Sequence, residues 1–205
     1  YVTQLIAMYL IALYMGLKRG VLSKERYDEV LEELKLLPQK AEQALANKEI
    51  LQEIADKQFN NQSIFYIGRG LDDYICKEGS LKLKEISYIH SEAIAAGELK
   101  HGTIALIENG TLIVALATQD YLYDKMLSNI KEVKARGAHV VAVAKETNRE
   151  IEKSADVVVY IPDTMDELTS ILSVIPLQLL AYYIAVARGC DVDKPKNLAK
   201  SVTVE

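Results

Sequence analysis

The sequence is poor in cysteine and in clustered basic residues, and it contains no tryptophan. Cys76 and Cys190 lack the CxxC spacing of a metal site, and we expect both to be reduced thiols of a cytoplasmic protein. The net charge is −5 with no concentrated basic block, which argues against nucleic acid as the main partner because phosphate binding needs a positive patch. GxGxxG, Walker A and HExxH motifs are absent, so we expect no cofactor and no metal.

Long hydrophobic runs are also few, and no signal peptide opens the chain. The two most apolar stretches are residues 5–15 and 171–187. The first is short for a membrane span, and the second is interrupted by Ser173, Pro176 and Gln178. We therefore expect no membrane partner and predict that both stretches are buried helices.

What is present is ordinary for a globular protein: 205 residues, half of them apolar and 26% charged. This length allows one domain with additional helices or two small domains. The chain begins at Tyr1, without methionine and inside a helical pattern, so we expect it to be a piece of a longer protein. Residues 1–17 are apolar nearly all round, and such a helix needs neighbours on every side.

Residues 22–59 are rich in Glu, Lys, Leu and Ala, with apolar residues at helical spacing. Ser23 is a candidate N-cap. Pro38 is expected to end one helix and begin another. This segment therefore predicts two or three amphipathic helices.

From residue 62 onwards, short apolar runs alternate with helical patterns. The runs lack polar alternation, which is typical of strands covered on both faces. Strands alternating with helices through short connections predict a parallel sheet in an α/β fold. The predicted strands are 63–68, 111–117, 139–144 and 156–161, and the predicted helices that follow are 121–136, about 147–154, and 166–187.

Charged residues are concentrated in the stretch 81–102. Lys82 and Glu85 share a helix face, Glu92 falls seven residues further on, and the helix is predicted to continue until Gly97. With His101 just beyond, these groups could move protons on a small polar substrate. The alternative is a solvated face with spaced salt bridges. Two other histidines, at position 90 inside the predicted helix and at position 139 opening a strand, are predicted to be structural.

The carboxyl ends of the predicted strands are where an open parallel sheet binds ligands. They carry Gly68-Arg69-Gly70, Thr118-Gln119-Asp120 and Lys145-Glu146-Thr147. The first could present backbone N–H groups to an anion, but Asp73 stands where a dinucleotide fingerprint has its third glycine. Turn glycines are the preferred interpretation of that segment.

After Gly189 the chain loses its regular pattern and carries Lys194, Lys196 and Lys200. One possibility is a disordered tail. The other is that Lys200, which lies among small and apolar residues, docks in a pocket. A partly desolvated lysine has a lowered pKa and can attack a carbonyl as the free amine.

Three runs carry a resemblance to a known family: IFYIGRG at 64–70, KEISYIHSEAIAAGELKHG at 84–102, and VIPLQLLAYYIAVARGCDVDKPKNLAKSVTVE at 174–205. Together they closely resemble the C-terminal end of the glutamine–fructose-6-phosphate aminotransferase (isomerizing) family, also called glucosamine-6-phosphate synthase. The resemblance covers essentially the whole chain. It implies three-layer α/β/α sugar isomerase (SIS) domains with a parallel sheet of four or five strands.

The resemblance also implies a division of the chain. Residues 1–20 would be the last helix of a preceding, mostly missing SIS domain, and residues 21–60 a helical connector. Residues 61–189 would be the C-terminal SIS domain and 190–205 a C-terminal active-site loop. The family uses ammonia from glutamine to convert fructose 6-phosphate into glucosamine 6-phosphate, as a homodimer or higher homo-oligomer.

The resemblance implies four site residues. Lys200 matches the lysine that forms a Schiff base with the keto sugar, and Glu85 the glutamate that shuttles a proton between the first and second sugar carbons. Lys82 matches a lysine beside that glutamate. His101 matches a histidine of ring opening that is supplied across the dimer interface.

The chain departs from the family by lacking the Ser and Thr loops of the first SIS domain, which hold most of the sugar phosphate. The segment 118–120 does not replace them. We therefore expect the chain alone to fold but to turn over little substrate. The alternatives are a non-catalytic SIS module that binds a phosphosugar and regulates a partner, or an oligomerisation scaffold that uses residues 5–15 and 177–186 as contact surface.

Overall fold

The computed structural model describes residues 1–198 and shows a parallel sheet covered on both faces by helices. The five strands run in the spatial order β2-β1-β3-β4-β5. The predicted three-layer α/β fold with four or five parallel strands is confirmed. The elements are α1 (Val2–Lys18), α2 (Lys24–Leu45), α3 (Lys48–Gln58), β1 (Ser63–Gly68), α4 (Leu71–Ser87), β2 (His90–Ala95), β3 (Leu112–Ala117), α5 (Tyr123–Lys134), β4 (His139–Lys145), β5 (Val157–Ile161) and α6 (Thr169–Ala187).

The core lies in two layers because successive side chains of a strand point to opposite faces. On β1, Ile64 and Tyr66 enter the layer formed with α1, α2, α3, α4 and α6. Phe65 and Ile67, which alternate with them, enter the opposite layer with α5. The burial of both sets explains why the strands read as continuous apolar runs.

Helix α6 is the central helix of the larger layer, packed against α2, α3 and α4. The segment Asp166–Ala187 is long and apolar enough to cross a membrane by length and composition, but 61% of its most apolar window is buried inside this fold. It is therefore a core helix, as its interruption by polar residues predicted.

The prediction of one helix from residue 81 to Gly97 was wrong. Helix α4 ends at Ser87, because Tyr88 takes the left-handed conformation (φ 61°). Residues 90–95 then form β2, which pairs with β1 and lies at one edge of the five-stranded sheet. Its sequence, HSEAIA, opens with three polar residues and therefore lacks the continuous hydrophobic run of the other four strands. Glu92 thus lies on a strand and not on the helix face of Glu85.

The predicted helix break at Pro38 was also wrong, because α2 runs without interruption from Lys24 to Leu45. Its buried residues Val30, Leu37 and Ala44 recur every seven positions. This stripe packs both halves of the helix on the same layer, and tertiary packing offsets the hydrogen bond that proline removes. The predicted N-cap at Ser23 is confirmed, since its Oγ accepts the Arg26 N–H at 3.1 Å.

Candidate functional site

The last turns of α4 bring together two residues that the sequence singled out. The Lys82 ammonium lies 2.6 Å from the Glu85 carboxylate, and its distance to the Glu78 carboxylate is 3.9 Å. Both Lys82 and Glu85 are partly exposed, so this pair adds at most about 1 kcal/mol to folding. The arrangement provides a carboxylate fixed by a hydrogen bond, with a cation beside it, on a surface that a substrate can reach.

The C-terminal segment returns to the same end of α4. Just after α6, the Arg188 guanidinium donates to the Ser87 carbonyl at 2.9 Å and to the Phe59 carbonyl at 2.7 Å. Further on, the Lys196 backbone N–H donates to the Tyr88 hydroxyl at 2.9 Å. The segment is therefore attached to the helix end that carries Glu85.

Lys200 lies outside the described residues, four positions beyond Lys196. Tyr88 follows Glu85 by three residues, which is about 4.5 Å along a helix axis. The described segment near Lys196 is therefore attached at the helix end that carries Glu85.

His101 lies at the opposite end of the chain's own sheet. It ends a 3₁₀-helix, Ala96–His101, that follows the carboxyl end of β2, whereas Glu85 precedes the start of that strand. The six residues of β2 separate the two ends by about 20 Å. The His101 side chain is 76% exposed, with Glu98 at 3.9 Å. One copy of the chain does not bring His101 to Glu85.

The other two histidines begin strands. His90 is exposed at the first residue of β2. His139 begins β4, and its Nδ1 lies 3.6 Å from the Asp156 carboxylate.

The glycine turn after β1 serves packing. A side chain at Gly68 would lie 2.6 Å from the Asp72 backbone, so only glycine lets α4 start this close to the strand. Arg69 is engaged with α5, since its Nε donates to the Asn129 Oδ1 at 2.8 Å. The Asp72 carboxylate at the start of α4 accepts from the Thr118 N–H at 2.8 Å and from its hydroxyl at 2.5 Å. These carboxylate contacts leave the turn unsuited to an anion, in line with the turn-glycine interpretation.

Asp72 is a buried acid that joins α4 to the loop after β3. Burial raises the pKa of Asp72 to about 6, against the hydrogen bonds from Thr118, which lower it. The Asp72 side chain therefore changes charge near neutral pH.

A buried lysine stands at the carboxyl end of β4. The Lys145 side chain is 2% exposed, and its ammonium lies 2.8 Å from Asp120, 2.7 Å from Asp166 and 3.8 Å from Asp163. Burial lowers the pKa of Lys145, but the hydrogen-bonded carboxylates of Asp120 and Asp166 outweigh this effect and raise the pKa above its usual value. Lys145 therefore stays protonated at neutral pH and is not a nucleophilic amine.

The same edge of the sheet borders a cavity of about 460 Å³. Five carboxylates and three basic side chains line it. An excess of negative charge disfavours a phosphate at this edge. In the part of the chain that the structure describes, residues 1–198, no group of three His, Cys, Asp or Glu side chains has the geometry to hold a metal ion.

A family model described as the SIS domain matches residues 59–188. The chain belongs to the SIS domain family.

Comparison of this SIS chain with individual proteins is more specific than the family model. It is 65% identical over 205 residues to glutamine–fructose-6-phosphate aminotransferase (isomerizing) of Caldanaerobacter subterraneus subsp. tengcongensis, matching all of this chain and 34% of that protein. The enzyme of the same name from Clostridium tetani is 55% identical with the same coverage. A solved C-terminal domain of glucosamine-fructose-6-phosphate aminotransferase from Francisella tularensis has a TM-score of 0.90 at 36% identity, covering 95% of this chain and 55% of that one.

The resemblance to the aminotransferase family, based on three motifs, is therefore confirmed. The SIS chain spans about a third of the length of the curated relatives that it matches.

Sequence reasoning found the Lys82–Glu85 pair of the SIS domain but missed the buried Lys145 cluster. A signal was present, because Lys145 is the last residue of an apolar strand, and parallel sheets bind ligands at the carboxyl ends of their strands. The carboxylate of Asp166, however, comes from a turn before α6 that no pattern linked to that strand. Sequence reasoning also missed the contact between Tyr88 and Lys196, which are 108 positions apart.

Proposed function

We propose that this SIS domain is the isomerase part of a glutamine–fructose-6-phosphate aminotransferase and acts on fructose 6-phosphate in the cytoplasm. The observation that carries the proposal is the attachment of the C-terminal segment at Tyr88, three residues beyond Glu85. The segment attached there carries, four residues beyond Lys196, the lysine that the family resemblance makes the Schiff-base residue, Lys200. The high identity to aminotransferases along the whole chain supports the same conclusion.

The proposed chemistry needs one amine and one base. The Lys200 amine adds to the C2 carbonyl of the open-chain sugar and loses water to form an imine. Ammonia then displaces the lysine, which leaves a C2 imine of the sugar. Glu85 removes a proton from C1 and returns it to C2 while the O1 hydroxyl proton passes to the imine nitrogen, and this gives the C1 aldehyde and the C2 amine of glucosamine 6-phosphate. The Lys82 ammonium, 2.6 Å from Glu85, is the cation available to stabilise charge developing on oxygen.

The proposal includes partners that this chain lacks. The preceding SIS domain would hold most of the sugar phosphate, and a glutaminase domain would supply ammonia. His101, which one copy holds at the far end of its sheet, would act in ring opening within the site of a second copy of a homodimer. The division of the chain at residues 20, 60 and 189 remains part of the same proposal.

Borohydride trapping tests the role of Lys200. The full-length protein is incubated with fructose 6-phosphate, reduced, digested and examined by mass spectrometry. We expect the sugar adduct on Lys200 in the wild type and its absence in Lys200→Met. Lys194→Met, which removes a neighbouring lysine of the same segment, serves as the control and should leave the adduct in place. Sugar-phosphate binding without any adduct would instead favour the regulatory module.

A coupled assay tests whether the chain suffices. Because the Ser and Thr loops of the preceding SIS domain are absent, the purified 205-residue chain should convert little fructose 6-phosphate to glucose 6-phosphate or the reverse. Robust isomerisation by the chain alone would contradict this expectation.

A further inference from the structure

The 3₁₀-helix that carries His101, Ala96–His101, is short and depends on contacts with the rest of the fold. It has six residues, and the hydrogen bonds within such helices have poor geometry. Its residues Ala96 and Leu99 are fully buried in the layer that contains α5. Their burial holds the segment on this layer. The direction in which the segment presents the exposed His101 side chain also depends on the polar contacts around it.

Two of these polar contacts lead to one face of α5. Asn129 and Glu132 are three residues apart on that helix and therefore share a face. The Arg69 Nε donates to the Asn129 Oδ1 at 2.8 Å. The Lys100 ammonium lies 2.8 Å from the Glu132 carboxylate but is 66% exposed, so water weakens this ion pair. Asn129 is 5% exposed, which makes the hydrogen bond from Arg69 the better protected of the two.

Arg69 also packs directly on the segment that carries His101. A Cβ added at Gly97 would lie 3.3 Å from one terminal nitrogen of the Arg69 guanidinium and 3.5 Å from its Cζ. The guanidinium therefore lies against the Gly97 backbone, where a planar group fits closely. Since Arg69 follows β1 directly, one side chain joins the carboxyl end of β1, α5 and the 3₁₀-helix.

We propose that Arg69 is a positioning residue that fixes the 3₁₀-helix and thereby the direction in which His101 is presented to the site of a second copy. This inference rests on the proposed function, in which His101 acts in ring opening. Opening the furanose breaks the C2–O5 bond, takes a proton from the C2 hydroxyl and delivers one to O5. An imidazole can transfer these protons only within hydrogen-bond reach of the two oxygens. Arg69 has no part in the proton transfer itself and acts through His101.

Kinetics of the full-length enzyme test the proposal. Arg69→Met should lower kcat for fructose 6-phosphate about tenfold, less than His101→Asn, because a misdirected acid–base group keeps part of its effect. The KM should stay within about twofold, because the sugar phosphate is held mainly elsewhere. The double variant Arg69→Met/His101→Asn should be no slower than His101→Asn alone, since no imidazole is left to position.

Variants of the two contacting residues test the same contacts without removing the arginine. Asn129→Leu removes the acceptor of the Arg69 Nε and should lower kcat as Arg69→Met does. Asn129→Asp keeps an acceptor and should retain most of the activity. Gly97→Ala pushes the segment away from the guanidinium and should cause a smaller loss. Full activity in both Asn129→Leu and Gly97→Ala would contradict the proposal.

An open-chain substrate distinguishes the positioning of His101 from a general structural role. 5-Deoxyfructose 6-phosphate lacks the hydroxyl that closes the furanose ring, so it needs no ring opening. On this substrate, Arg69→Met and His101→Asn should both stay within about twofold of the wild-type kcat. An equal loss of kcat for Arg69→Met on both substrates would show a structural role and overturn the proposal.

Mixed dimers show which subunit's site Arg69 serves. In a randomly reassociated 1:1 mixture of Arg69→Met and Glu85→Gln subunits, half of the dimers are mixed. Each mixed dimer has one intact site, so the mixture should show about a quarter of wild-type activity. With His101→Asn in place of Glu85→Gln, no mixed dimer has an intact site, and activity should not exceed the average of the two parents. The opposite pattern would overturn the proposal.

Hydrogen exchange tests the contact without reference to the chemistry. The peptide that contains residues 96–101 should exchange faster in Arg69→Met than in the wild type, and unchanged exchange would refute the positioning role. Arg136→Met is the matched control, because Arg136 also binds α5, by donating to the Glu132 carbonyl at 2.7 Å. This control should change neither the exchange of that peptide nor kcat.

The outcomes separate this inference from the proposed function. If His101→Asn lowers kcat on fructose 6-phosphate but Arg69→Met does not, the positioning role alone fails. If His101→Asn keeps full kcat, the proposed role of His101 in ring opening fails and the catalytic effect assigned to Arg69 fails with it. Faster exchange of residues 96–101 in Arg69→Met would then show that the contact holds the segment without serving catalysis.

Discussion

In the buried Lys145 cluster, we expect that removing one partner of an ion pair costs more folding stability than removing the other. Removing a carboxylate leaves the ammonium of a lysine that is 2% exposed with less negative charge beside it. Removing the lysine leaves carboxylates that water can still reach. Asp166 is 24% exposed and Asp120 is 59% exposed. We therefore expect Asp166→Asn to destabilise the protein more than Lys145→Met.

The magnitudes follow from the burial of each group. Breaking a buried pair by removing one partner costs about 3–5 kcal/mol. Asp120 remains 2.8 Å from the ammonium but is screened by solvent, so we expect about 2–3 kcal/mol for Asp166→Asn. Asp166 also accepts the Asp120 backbone N–H at 3.0 Å. Asparagine at position 166 has one side-chain oxygen and can accept well from only one of the two donors, this N–H or the Lys145 ammonium. Methionine at position 145 has similar volume and no charge to desolvate, and the carboxylates left behind reach water, so we expect a cost of about 1 kcal/mol.

Urea and thermal unfolding of the chain measure both variants. For a protein of this size, 2–3 kcal/mol corresponds to a fall in melting temperature of roughly 5–10 °C. Lys100→Met is the control, because its ammonium is paired with Glu132 at 2.8 Å but is 66% exposed. It should change stability by less than about 0.5 kcal/mol. If Lys145→Met costs more than Asp166→Asn, desolvation does not dominate this cluster and the reasoning is refuted.

Three further predictions concern pH, catalysis and assembly. Because the folded-state pKa of Asp72 is about 6 and thus above its unfolded value, folding is favoured with the acid protonated, and stability is lost as pH rises from about 4 to 6. The free energy of unfolding of Asp72→Asn, measured with urea relative to the wild type, should therefore increase by up to about 3 kcal/mol as pH rises from 4 to 7. A decrease would contradict the raised pKa of Asp72. In the full-length enzyme, Glu85→Gln should lower kcat about 10²–10⁴-fold with sugar-phosphate binding kept, while Glu92→Gln on the edge strand should change little. A randomly reassociated 1:1 mixture of Glu85→Gln and His101→Asn subunits, in which half of the dimers are mixed and each mixed dimer has one intact site, should recover about a quarter of wild-type activity if His101 acts across the interface, and none if it acts within its own subunit.

The sequence predicted most of the sheet because strand burial leaves a local trace. Strands β1, β3 and β4 are buried on both faces and appear as short apolar runs, and β5 has such a run although it is only partly buried. Strand β2, at the other edge from β5, has solvent-exposed positions, and its residues predict a helix instead. Its identity as a strand depends on pairing with β1, and that pairing is not visible in the residues of β2 alone.

In the candidate site, too, one feature follows from the sequence and another does not. The pairing of Lys82 with Glu85 follows from helical spacing, since residues three apart share a face. The position of His101 relative to that pair does not, because it depends on where α4 ends. The β2 strand that follows α4 carries His101 to the other end of the sheet.

The amino-acid sequence by itself determined the elements whose signal lies within a few residues: the Ser23 cap, the four strands with apolar runs, the long apolar helix and the family motifs. Tertiary structure alone decided that α2 continues through Pro38, that Lys145 is enclosed by aspartates, and that Tyr88 holds Lys196. The physical reason is that these features depend on contacts between residues far apart in the chain, such as the 108 positions that separate Tyr88 and Lys196. Their energies exist only once the sheet and its helices have packed.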